Sequence, residues 1–401
     1  MDEATFVSLV RLSEPIIRES KVDILRPLSE TILAEIASLP RGVFIVTGLR
    51  GSGKTTLLGA LYEREKEKII FLNAEIIARQ GVSLLDVLSY AAQRGYTFFL
   101  LDEIHALADW EKDIKIFYDG TKGKILLTGS SAIALKARGS ELSRRASFYH
   151  LGPLSFREYI YFKTGELLPI ISLKDIFLKK EELQRRILPF THFFSPYCQF
   201  EALPAALFEK SREVYLNIID RTVRYDLVSL RELDISYLDT VFRVLKIIAT
   251  SPPGELSYSG ISSSLRIHIR MAKEMVSLLA LSGLLYLIPP NGVGKSAVRK
   301  EEKILMPLSL RSALCTSYGA SIPIGSLRED FFVQHVGKCS YYKTGIERRT
   351  PDFVVEDYIF EVGGPTKGFA QLQEKKNAFL VKEGFPVGEK EISLYLFGFL
   401  Y

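Results

Sequence analysis

Short apolar runs alternate with amphipathic stretches along the first third of the chain. The apolar runs cover residues 43–46, 68–72, 97–101, 124–128 and 148–151, and helical patterns such as 84–92 lie between them. A run that is apolar throughout predicts a strand buried on both faces, and its alternation with helices predicts a parallel sheet covered on both sides. This part of the chain is therefore predicted to have an α/β fold.

The pattern changes after about residue 155. Residues 156–235 read as irregular helices, with a charged run at 179–186 that is typical of a solvated helix face. Between 236 and 312, three helical patterns precede apolar runs at 284–288 and 303–308, which predicts the three helices and hairpin of a winged helix. Beyond 312 we expect a small α/β domain, with a helix at 327–336, strands at 340–342, 350–355 and 358–362, a helix at 369–382 and a final strand at 392–399.

Composition limits the class of protein. A chain of 401 residues is too long for one ordinary core, and 47% hydrophobic with 25% charged residues is typical of a soluble globular protein. The net charge of +5 is modest, so any nucleic-acid affinity must come from local clusters. The acidic amino terminus does not resemble a signal peptide, and the most apolar run, 275–290, is interrupted by Ser277, Ser282 and Gly283, which argues against a membrane span. Three widely spaced cysteines predict reduced thiols and a cytoplasmic location, and only eleven Asn and Gln residues favour a thermophilic source.

A glycine-rich loop follows the first predicted strand. Gly48 is followed, after four residues, by Gly53, Lys54 and Thr55, which is the G-x-x-x-x-G-K-[ST] phosphate loop in its strand-loop-helix setting. Glycines let backbone N–H groups turn towards an anion, the lysine reaches the β- and γ-phosphates, and the threonine hydroxyl ligates Mg²⁺. The residues predicted to bind ATP here are Gly48, Leu49, Arg50, Gly51, Ser52, Gly53, Lys54, Thr55 and Thr56. No guanine-reading N-K-x-D motif is present, which favours ATP over GTP.

A second nucleotide-site motif ends the third apolar run. Asp102 and Glu103 follow four apolar residues about fifty positions after the phosphate loop, at the end of a strand where parallel sheets bind ligands. We expect Asp102 to hold Mg²⁺ together with Thr55, and Glu103 to polarise the attacking water. The predicted catalytic residues are therefore Glu103 and Lys54, with Arg145 as a third candidate.

Two further positions have competing interpretations. Ser130 and Ser131 follow the strand at 124–128, where their hydroxyls either sense the γ-phosphate or form an ordinary turn. Arg144 and Arg145 precede the strand at 148–151, where a guanidinium either serves a neighbouring subunit's nucleotide as an arginine finger or is simply a solvated surface charge. The finger interpretation implies a homo-oligomer.

Basic side chains mark a candidate nucleic-acid surface. Arg266, His268, Arg270 and Lys273 lie on the third predicted helix of the winged helix and its approach, where they would contact duplex DNA. Additional phosphate contacts are predicted for Lys295, Arg299 and Lys300 in the wing and for Lys338, Lys343, Arg348 and Arg349 beyond it. The alternative is that the module packs against protein, because few side chains suited to reading bases are present.

Acidic residues near the carboxyl terminus suggest another metal site. Glu329, Asp352 and Glu361 fall where a PD-(D/E)XK nuclease-like fold has its carboxylates, so that Asp352 and Glu361 form a possible second Mg²⁺ site. That motif continues with a lysine two residues after the second acid, but residue 363 is glycine. Lys367 would have to replace it, so we expect a binding or assembly role rather than nuclease activity.

Three runs carry a family resemblance: LDEIHALADWEKDIKIFYDG, KILLTGSSAIALKARGSELSRR and YHLGPLSFREYI. They resemble prokaryotic and archaeal AAA+-like ATPases that have an appended carboxyl-terminal domain. The resemblance implies that Gly48–Thr55 bind phosphate, that Asp102 and Glu103 serve magnesium and hydrolysis, and that Arg145 occupies the family's basic position before the last core strand. The sequence differs in having His105 where glutamine is frequent and in the RGSG within the loop.

The predicted fold is thus an α/β P-loop NTPase (AAA+-like) parallel sheet, followed by a helical region, a winged helix and a small α/β nuclease-like domain. The predicted boundaries are 1–30 for an N-terminal arm, 31–155 for the ATPase core, 156–235 for the helical region, 236–312 for the winged helix and 313–401 for the last domain. The expected function is Mg²⁺-dependent ATP hydrolysis coupled to nucleic acid, with DNA favoured. The alternatives are a nucleotide-switched protein-binding regulator without DNA contact and an ATP-gated nuclease.

Overall fold

A computed structural model of the chain describes most of the 401 residues. The described residues are 1–64, 68–121, 123–129, 141–209, 211–230, 234–254, 256–292, 300–342, 350–369, 372 and 375–401. They form two compact units. The first comprises Met1–Gly152, Arg224–Glu232 and Leu281–Gly283, and the second comprises Pro153–Val223, Leu233–Ala280 and Leu284–Tyr401.

The first unit is built on a five-stranded sheet. Its strands are β1 (Gly42–Thr47), β2 (Ile69–Asn73), β3 (Phe98–Asp102), β4 (Lys124–Gly129) and β5 (Ala146–His150). All pairs are parallel and the order is β2-β3-β4-β1-β5. The five apolar runs supply these strands, so the predicted parallel sheet is confirmed. Strand β5 differs from the prediction of a buried strand, because it lies at the edge of the sheet and its residues are half-buried or exposed.

Six helices accompany this sheet among the described residues of the first 150 positions. They are α1 (Glu3–Glu19), α2 (Pro27–Ser38), α3 (Lys54–Arg64), α4 (Ala74–Gln80), α5 (Leu84–Gln93) and α6 (Trp110–Gly120). Alternate strand residues face opposite sides: Val43 and Ile45 pack with α4, α5 and α6, whereas Phe44 and Val46 pack with α2 and α3. The first helix contributes Phe6 to one side and Ile17 to the other, so the amino-terminal residues are part of this core.

The strand order positions the candidate site. Because β4 lies between β1 and β3, the carboxyl ends of these three strands form one row. The phosphate loop leaves β1, Thr128 lies near the end of β4, and Asp102 ends β3. Three short segments that are far apart in sequence therefore meet at one edge of the sheet.

The second unit begins with helices. Among the described residues from Pro153 onwards, the α-helices are Phe156–Thr164, Leu173–Leu178, Lys180–Ile187, Phe194–Pro196, Pro204–Glu209, Glu213–Arg221, Leu227–Leu230, Ile235–Thr250, Tyr258–Leu265, Ile269–Leu281, Leu308–Ser317, Ile324–Val336 and Leu394–Phe397. Of these, Leu227–Leu230 falls in the segment that belongs to the first unit, and Ile269–Leu281 ends on its boundary. In the described ranges, every helix is too short or too polar to cross a bilayer.

Three of these helices, from Ile235 to Leu281, precede an antiparallel pair, β6 (Tyr286–Ile288) and β7 (Lys303–Leu305). The order of elements is the one expected from the sequence. Their assignment to the winged-helix class stays a prediction.

A second sheet has the order β12-β11-β10-β9-β8. Its strands are β8 (Ser340–Tyr341), β9 (Phe353–Val355), β10 (Tyr358–Gly363), β11 (Ala378–Lys382) and β12 (Glu391–Ser393). Pairing is antiparallel from β8 to β10 and parallel from β10 to β12. Phe331 and Phe332, on the helix Ile324–Val336, belong to the aromatic core beside this sheet.

Two sequence expectations for this region are wrong. Residues 378–382, which were expected to be the last part of a helix at 369–382, form strand β11 instead. In this strand the buried Leu380 and Val381 pair with β10, and the Phe379 ring stacks 4.6 Å from that of Phe177. The final strand expected at 392–399 stops at Ser393, and Leu394–Phe397 forms a helical turn whose four residues are all buried. Packing contacts distant in sequence therefore override the local pattern in both segments.

Candidate nucleotide site

The phosphate loop has the backbone that its glycines predict. Gly51 and Gly53 adopt φ of 77° and 95°, and helix α3 begins immediately after them at Lys54. Gly48 is required for a different reason, because a Cβ atom there would lie 2.1 Å from the carbonyl oxygen of Leu151. The loop is therefore held closely against the chain that leaves β5 and opens towards the start of a helix, where an anion is favoured.

Arg26 stabilises this loop, although nothing in the sequence predicts that role. Its side chain is buried, and Nη1 donates hydrogen bonds to the carbonyl oxygens of Ser52 at 2.9 Å and Gly152 at 2.8 Å. The guanidinium thus connects the phosphate loop to the segment after β5. No local motif marks Arg26, because its partners are supplied by other parts of the chain.

Lys54 points into the loop that carries it. Its Nζ donates to the carbonyl oxygens of Gly48 at 3.0 Å and Leu49 at 3.1 Å. Burial lowers the pKa of the ammonium, and the nearby charges of Glu103 and Asp102 offset only part of that effect. A buried cation with only neutral oxygen partners would gain strongly from a phosphate group.

Asp102 lies between two hydroxyl groups. Thr55 Oγ1 donates to its Oδ2 at 2.8 Å, and Thr128 Oγ1 donates to its Oδ1. Burial and the adjacent charge of Glu103 raise the pKa of the Asp102 carboxyl. The predicted metal ligands Thr55 and Asp102 are thus in direct contact, and Thr128, which the sequence predicts only as part of a strand, is a further polar neighbour.

Glu103 has an unusual backbone. Its φ of 54° is in the left-handed region, and its N–H donates to Asp102 Oδ1 at 3.1 Å. A non-glycine residue in this region costs about 1 kcal/mol, and such strain concentrates at functional sites. The turn directs the Glu103 carboxylate towards Arg50 of the phosphate loop, whose Nη1 lies 3.6 Å from Oε1.

Arg50, Glu103, His105 and Asp226 form what we call the Arg50 cluster. Arg50 Nη2 donates to Asp226 Oδ1 at 2.9 Å. His105 completes the group, with Nδ1 at 3.3 Å from Glu103 Oε2 and Nε2 at 3.7 Å from Asp226 Oδ1. Asp226 ends the π-helical turn Thr222–Asp226 and belongs to the first unit, although it is 123 residues beyond Glu103 in the sequence.

The side chains fit Mg²⁺ and a triphosphate. Ser52 Oγ and Arg50 Nε are buried polar atoms without a hydrogen-bond partner among the described residues, as expected of groups that bind a polar ligand. In the described ranges, no group of three His, Cys, Asp or Glu side chains is placed to hold a metal alone. Mg²⁺ held by Thr55 and Asp102 would take its other ligands from phosphate and water, its usual preference.

The remaining predicted site residues are less informative. Ser130 and Ser131 lie outside the described residues. Arg145 makes a two-pronged ion pair with Asp119, with Nε 2.8 Å from Oδ1 and Nη2 3.1 Å from Oδ2, and Arg144 is exposed. The arginine-finger role of Arg145 stays a prediction.

The four residues predicted on the third helix of the winged helix and its approach lie on the surface of the second unit. Arg266, His268, Arg270 and Lys273 are exposed. His268 Nδ1 accepts from the backbone N–H of Arg270 at 3.1 Å, and Lys273 Nζ lies 5.2 Å from the centre of the Tyr258 ring. Of the other basic residues, Lys300 is half-buried and Lys338 is exposed, whereas Lys295, Arg299, Lys343, Arg348 and Arg349 lie outside the described residues.

The three acidic residues predicted near the carboxyl terminus form ion pairs with two lysines. Lys303 Nζ, from strand β7, lies 2.8 Å from Glu329 Oε2 and 3.3 Å from Asp352 Oδ1, and Lys367 pairs with Glu361. Burial raises the pKa of Glu329 to about 8 and, with the charge of Asp352, that of Glu361 to about 7. Lys303 cannot be recognised from the sequence, because it is 49 residues before Asp352.

Comparison with known proteins gives one family match. Residues 40–160 match the family model described as an AAA domain. A protein of Methanocaldococcus jannaschii described as uncharacterized is 28% identical over 401 residues, covering 90% of this chain and 84% of the relative. A second uncharacterized protein of that organism is 26% identical over 173 residues, covering 40% of this chain and 36% of the relative.

Similar solved structures are more distant. The RuvB Holliday junction branch migration motor of Thermotoga maritima has a TM-score of 0.30 and 13% identity, covering 80% of this chain and 96% of that one. The Hsp104–ADP complex of S. cerevisiae has a TM-score of 0.32 and 16% identity, covering 65% and 39%. The family match spans the phosphate loop, Asp102 and Glu103, and it supports nucleotide binding and hydrolysis in the segment 40–160.

Proposed function

We propose that the chain is a Mg²⁺-dependent ATPase whose hydrolysis is coupled to nucleic acid, with DNA as the favoured partner. The observation that carries the first part is the contact between Thr55 and Asp102 beside Lys54 and Glu103. These four side chains come from the phosphate loop after β1 and from the end of β3, two strands away in the sheet, and they supply the charges that phosphoryl transfer requires.

Each side chain has a distinct task. Bound Mg²⁺ supplies positive charge at the β- and γ-phosphates, and Thr55 and Asp102 are the residues that would hold it. Lys54 exchanges its two carbonyl partners for phosphate oxygens. Glu103 orients the attacking water and accepts its proton, which requires it to turn from Arg50 towards the nucleotide.

Nucleotide-dependent thermal stabilisation tests the binding site. A ligand at 100 times its Kd stabilises the folded state by about 2.7 kcal/mol, which amounts to several degrees in Tm. Lys54→Ala should abolish the shift produced by Mg·ATP, whereas Lys112→Ala, which removes an exposed lysine of helix α6, should retain it. An unchanged shift in Lys54→Ala would refute the assignment of the loop.

The coupling to DNA is supported by the exposed basic side chains at Arg266, Arg270 and Lys273. Contacts to phosphate release counterions, so the logarithm of affinity falls with the logarithm of salt concentration by about 0.9 per contact. ATPase rates and binding should be measured with double-stranded DNA, single-stranded DNA and RNA at several salt concentrations.

The double variant Arg270→Gln with Lys273→Gln should weaken duplex binding and reduce the salt slope by about 2, because two phosphate contacts are lost. Lys174→Gln removes another exposed lysine of the second unit and is the matched control. Equal slopes for all proteins, or no DNA effect on turnover, would favour the protein-binding regulator instead.

Phosphodiester cleavage in the second unit is a second candidate, favoured by the position of Lys303. Its ammonium reaches Glu329 and Asp352 and so provides a cation that Gly363 cannot. Mg²⁺-dependent cleavage of DNA or RNA that is lost in both Asp352→Asn and Lys303→Met would support this activity. Cleavage that persists in both variants, or that is absent from the unmodified protein, would exclude it.

A further inference from the structure

Arg50 has a carboxylate partner that comes from a distant part of the sequence. Its side chain is 19% exposed and donates to Asp226, whose side chain is 3% exposed. The guanidinium carries five N–H donors in a planar fork that matches either a carboxylate or a phosphate. Among the described residues only Nη2 makes a hydrogen bond, and the buried Nε makes none.

A triphosphate in the loop would change the electrostatics of this cluster. Arg50 and Lys54 face three carboxylates, those of Asp102, Glu103 and Asp226. A triphosphate with one Mg²⁺ adds a net charge of about −2. The added anion attracts the Arg50 guanidinium and repels the Asp226 carboxylate, so the phosphate and Asp226 compete for the same donors.

We propose that Asp226 is a positioning residue that substitutes for the terminal phosphate of ATP by holding Arg50 until that phosphate binds. This inference rests on the proposed binding of ATP at the phosphate loop. When the terminal phosphate binds, Arg50 transfers to a phosphate oxygen the hydrogen bond that it donates to Asp226, and the Arg50–Asp226 contact is lost. The same exchange frees Glu103, which lies 3.6 Å from Arg50, to orient water.

Loss of the Arg50–Asp226 contact would affect the chain segment that contains Asp226. The segment Arg224–Glu232 belongs to the first unit, and the residues before and after it in the sequence belong to the second. A change in the Arg50–Asp226 contact therefore alters a segment that is covalently continuous with the second unit. In this way the binding of a terminal phosphate changes the contacts of a segment outside the phosphate loop.

Relative affinities for two nucleotides test the exchange. Asp226→Asn keeps the size of the side chain and removes the competing charge, so it should bind the Mg²⁺ complex of AMP-PNP about tenfold more tightly, the value of one charge-assisted hydrogen bond. Affinity for ADP should change less than twofold, because ADP lacks the γ-phosphate that is the terminal phosphate of ATP. The ratio of the two affinities should thus rise about tenfold, a selectivity that a merely structural role would not produce.

Asp23→Asn is the matched control, since Asp23 is exposed and lies outside the Arg50 cluster. Hydrogen exchange of the unmodified protein is a second measurement that needs no variant: amides of 224–230 should exchange faster with AMP-PNP than with ADP. Unchanged nucleotide selectivity in Asp226→Asn, or equal exchange with the two nucleotides, would overturn the inference. If the unmodified protein binds neither nucleotide, the proposed function fails instead.

Discussion

Replacement of Gly48 by alanine should destabilise the first unit and displace the phosphate loop. The Cβ of the alanine would lie 2.1 Å from the Leu151 carbonyl oxygen, 2.9 Å from its carbon and 3.0 Å from Ser52 Oγ. Two of these atoms belong to the backbone, which cannot move aside as a flexible side chain can. Either the loop or the segment after β5 must therefore shift.

The size of the shift sets the expected effect. An ordinary contact of a Cβ atom is about 3.4 Å, so the carbonyl and the loop must separate by roughly 1.3 Å, and such overpacking costs about 2 kcal/mol. For a unit of this size that corresponds to a decrease in Tm of about 4–8 °C. Displacement of the loop should also weaken nucleotide binding by at least about tenfold, since misplacement by 1 Å can cost more.

Thermal unfolding and ATP titration of Gly48→Ala measure both effects. Gly120→Ala is the matched control: Gly120 ends helix α6, its φ is not positive and nothing lies within 4 Å of the added Cβ. The control should keep the Tm and the affinity of the unmodified protein. A Gly48→Ala protein that behaves like the control would refute the close contact between the loop and Leu151.

Three further changes have defined outcomes. Arg26→Gln should lower the Tm of the first unit and weaken ATP binding, because two backbone carbonyls lose charge-assisted donors worth about 2 kcal/mol in total; a Tm and an affinity equal to those of the unmodified protein would contradict this role of Arg26. Arg311→Met should cost about 3–5 kcal/mol by leaving the buried Asp330 charge unpaired, and a further Asp330→Leu should recover most of it. Burial lowers the pKa of His335 to about 4, so its contribution to stability is complete above pH 6.5 and is lost as the pH falls to 4, by about 3 kcal/mol. Because Glu329 and Glu361 also titrate in this range, the loss should appear in urea unfolding as a stability difference between the unmodified protein and His335→Gln that decreases as the pH falls, and a difference that does not change with pH would contradict it.

The sheet of the first unit could be predicted because the residues of each strand and helix themselves show the pattern of that element. Strands β1 to β4 are buried along almost their whole length, so nearly every residue in them is apolar, and the intervening helices show their own period. The phosphate loop and the Asp102–Glu103 pair could be located for the same reason, since each is a contiguous motif joined to a strand end.

Contacts between segments that are distant in the sequence could not be predicted from local sequence patterns. Arg26, Thr128 and Asp226 each contact the candidate site from a different segment, and their neighbours in sequence do not distinguish them from structural residues. Lys303 is a similar case in the second unit, where it reaches two acids on other elements. The strand β11 was mistaken for the end of a helix because its short apolar run is compatible with either structure until its sheet partners are known.

Glu103→Gln provides the most direct test of the central claim. The substitution keeps the size of the side chain and its backbone turn but removes the carboxylate that would accept the proton from water. ATP binding, measured by titration in the presence of Mg²⁺, should stay within a few-fold of the unmodified protein, whereas ATP turnover should fall by at least about 100-fold. Equal turnover of the two proteins would contradict the assignment of Glu103, and an absence of Mg²⁺-dependent ATP turnover in the unmodified protein would contradict the proposed ATPase itself.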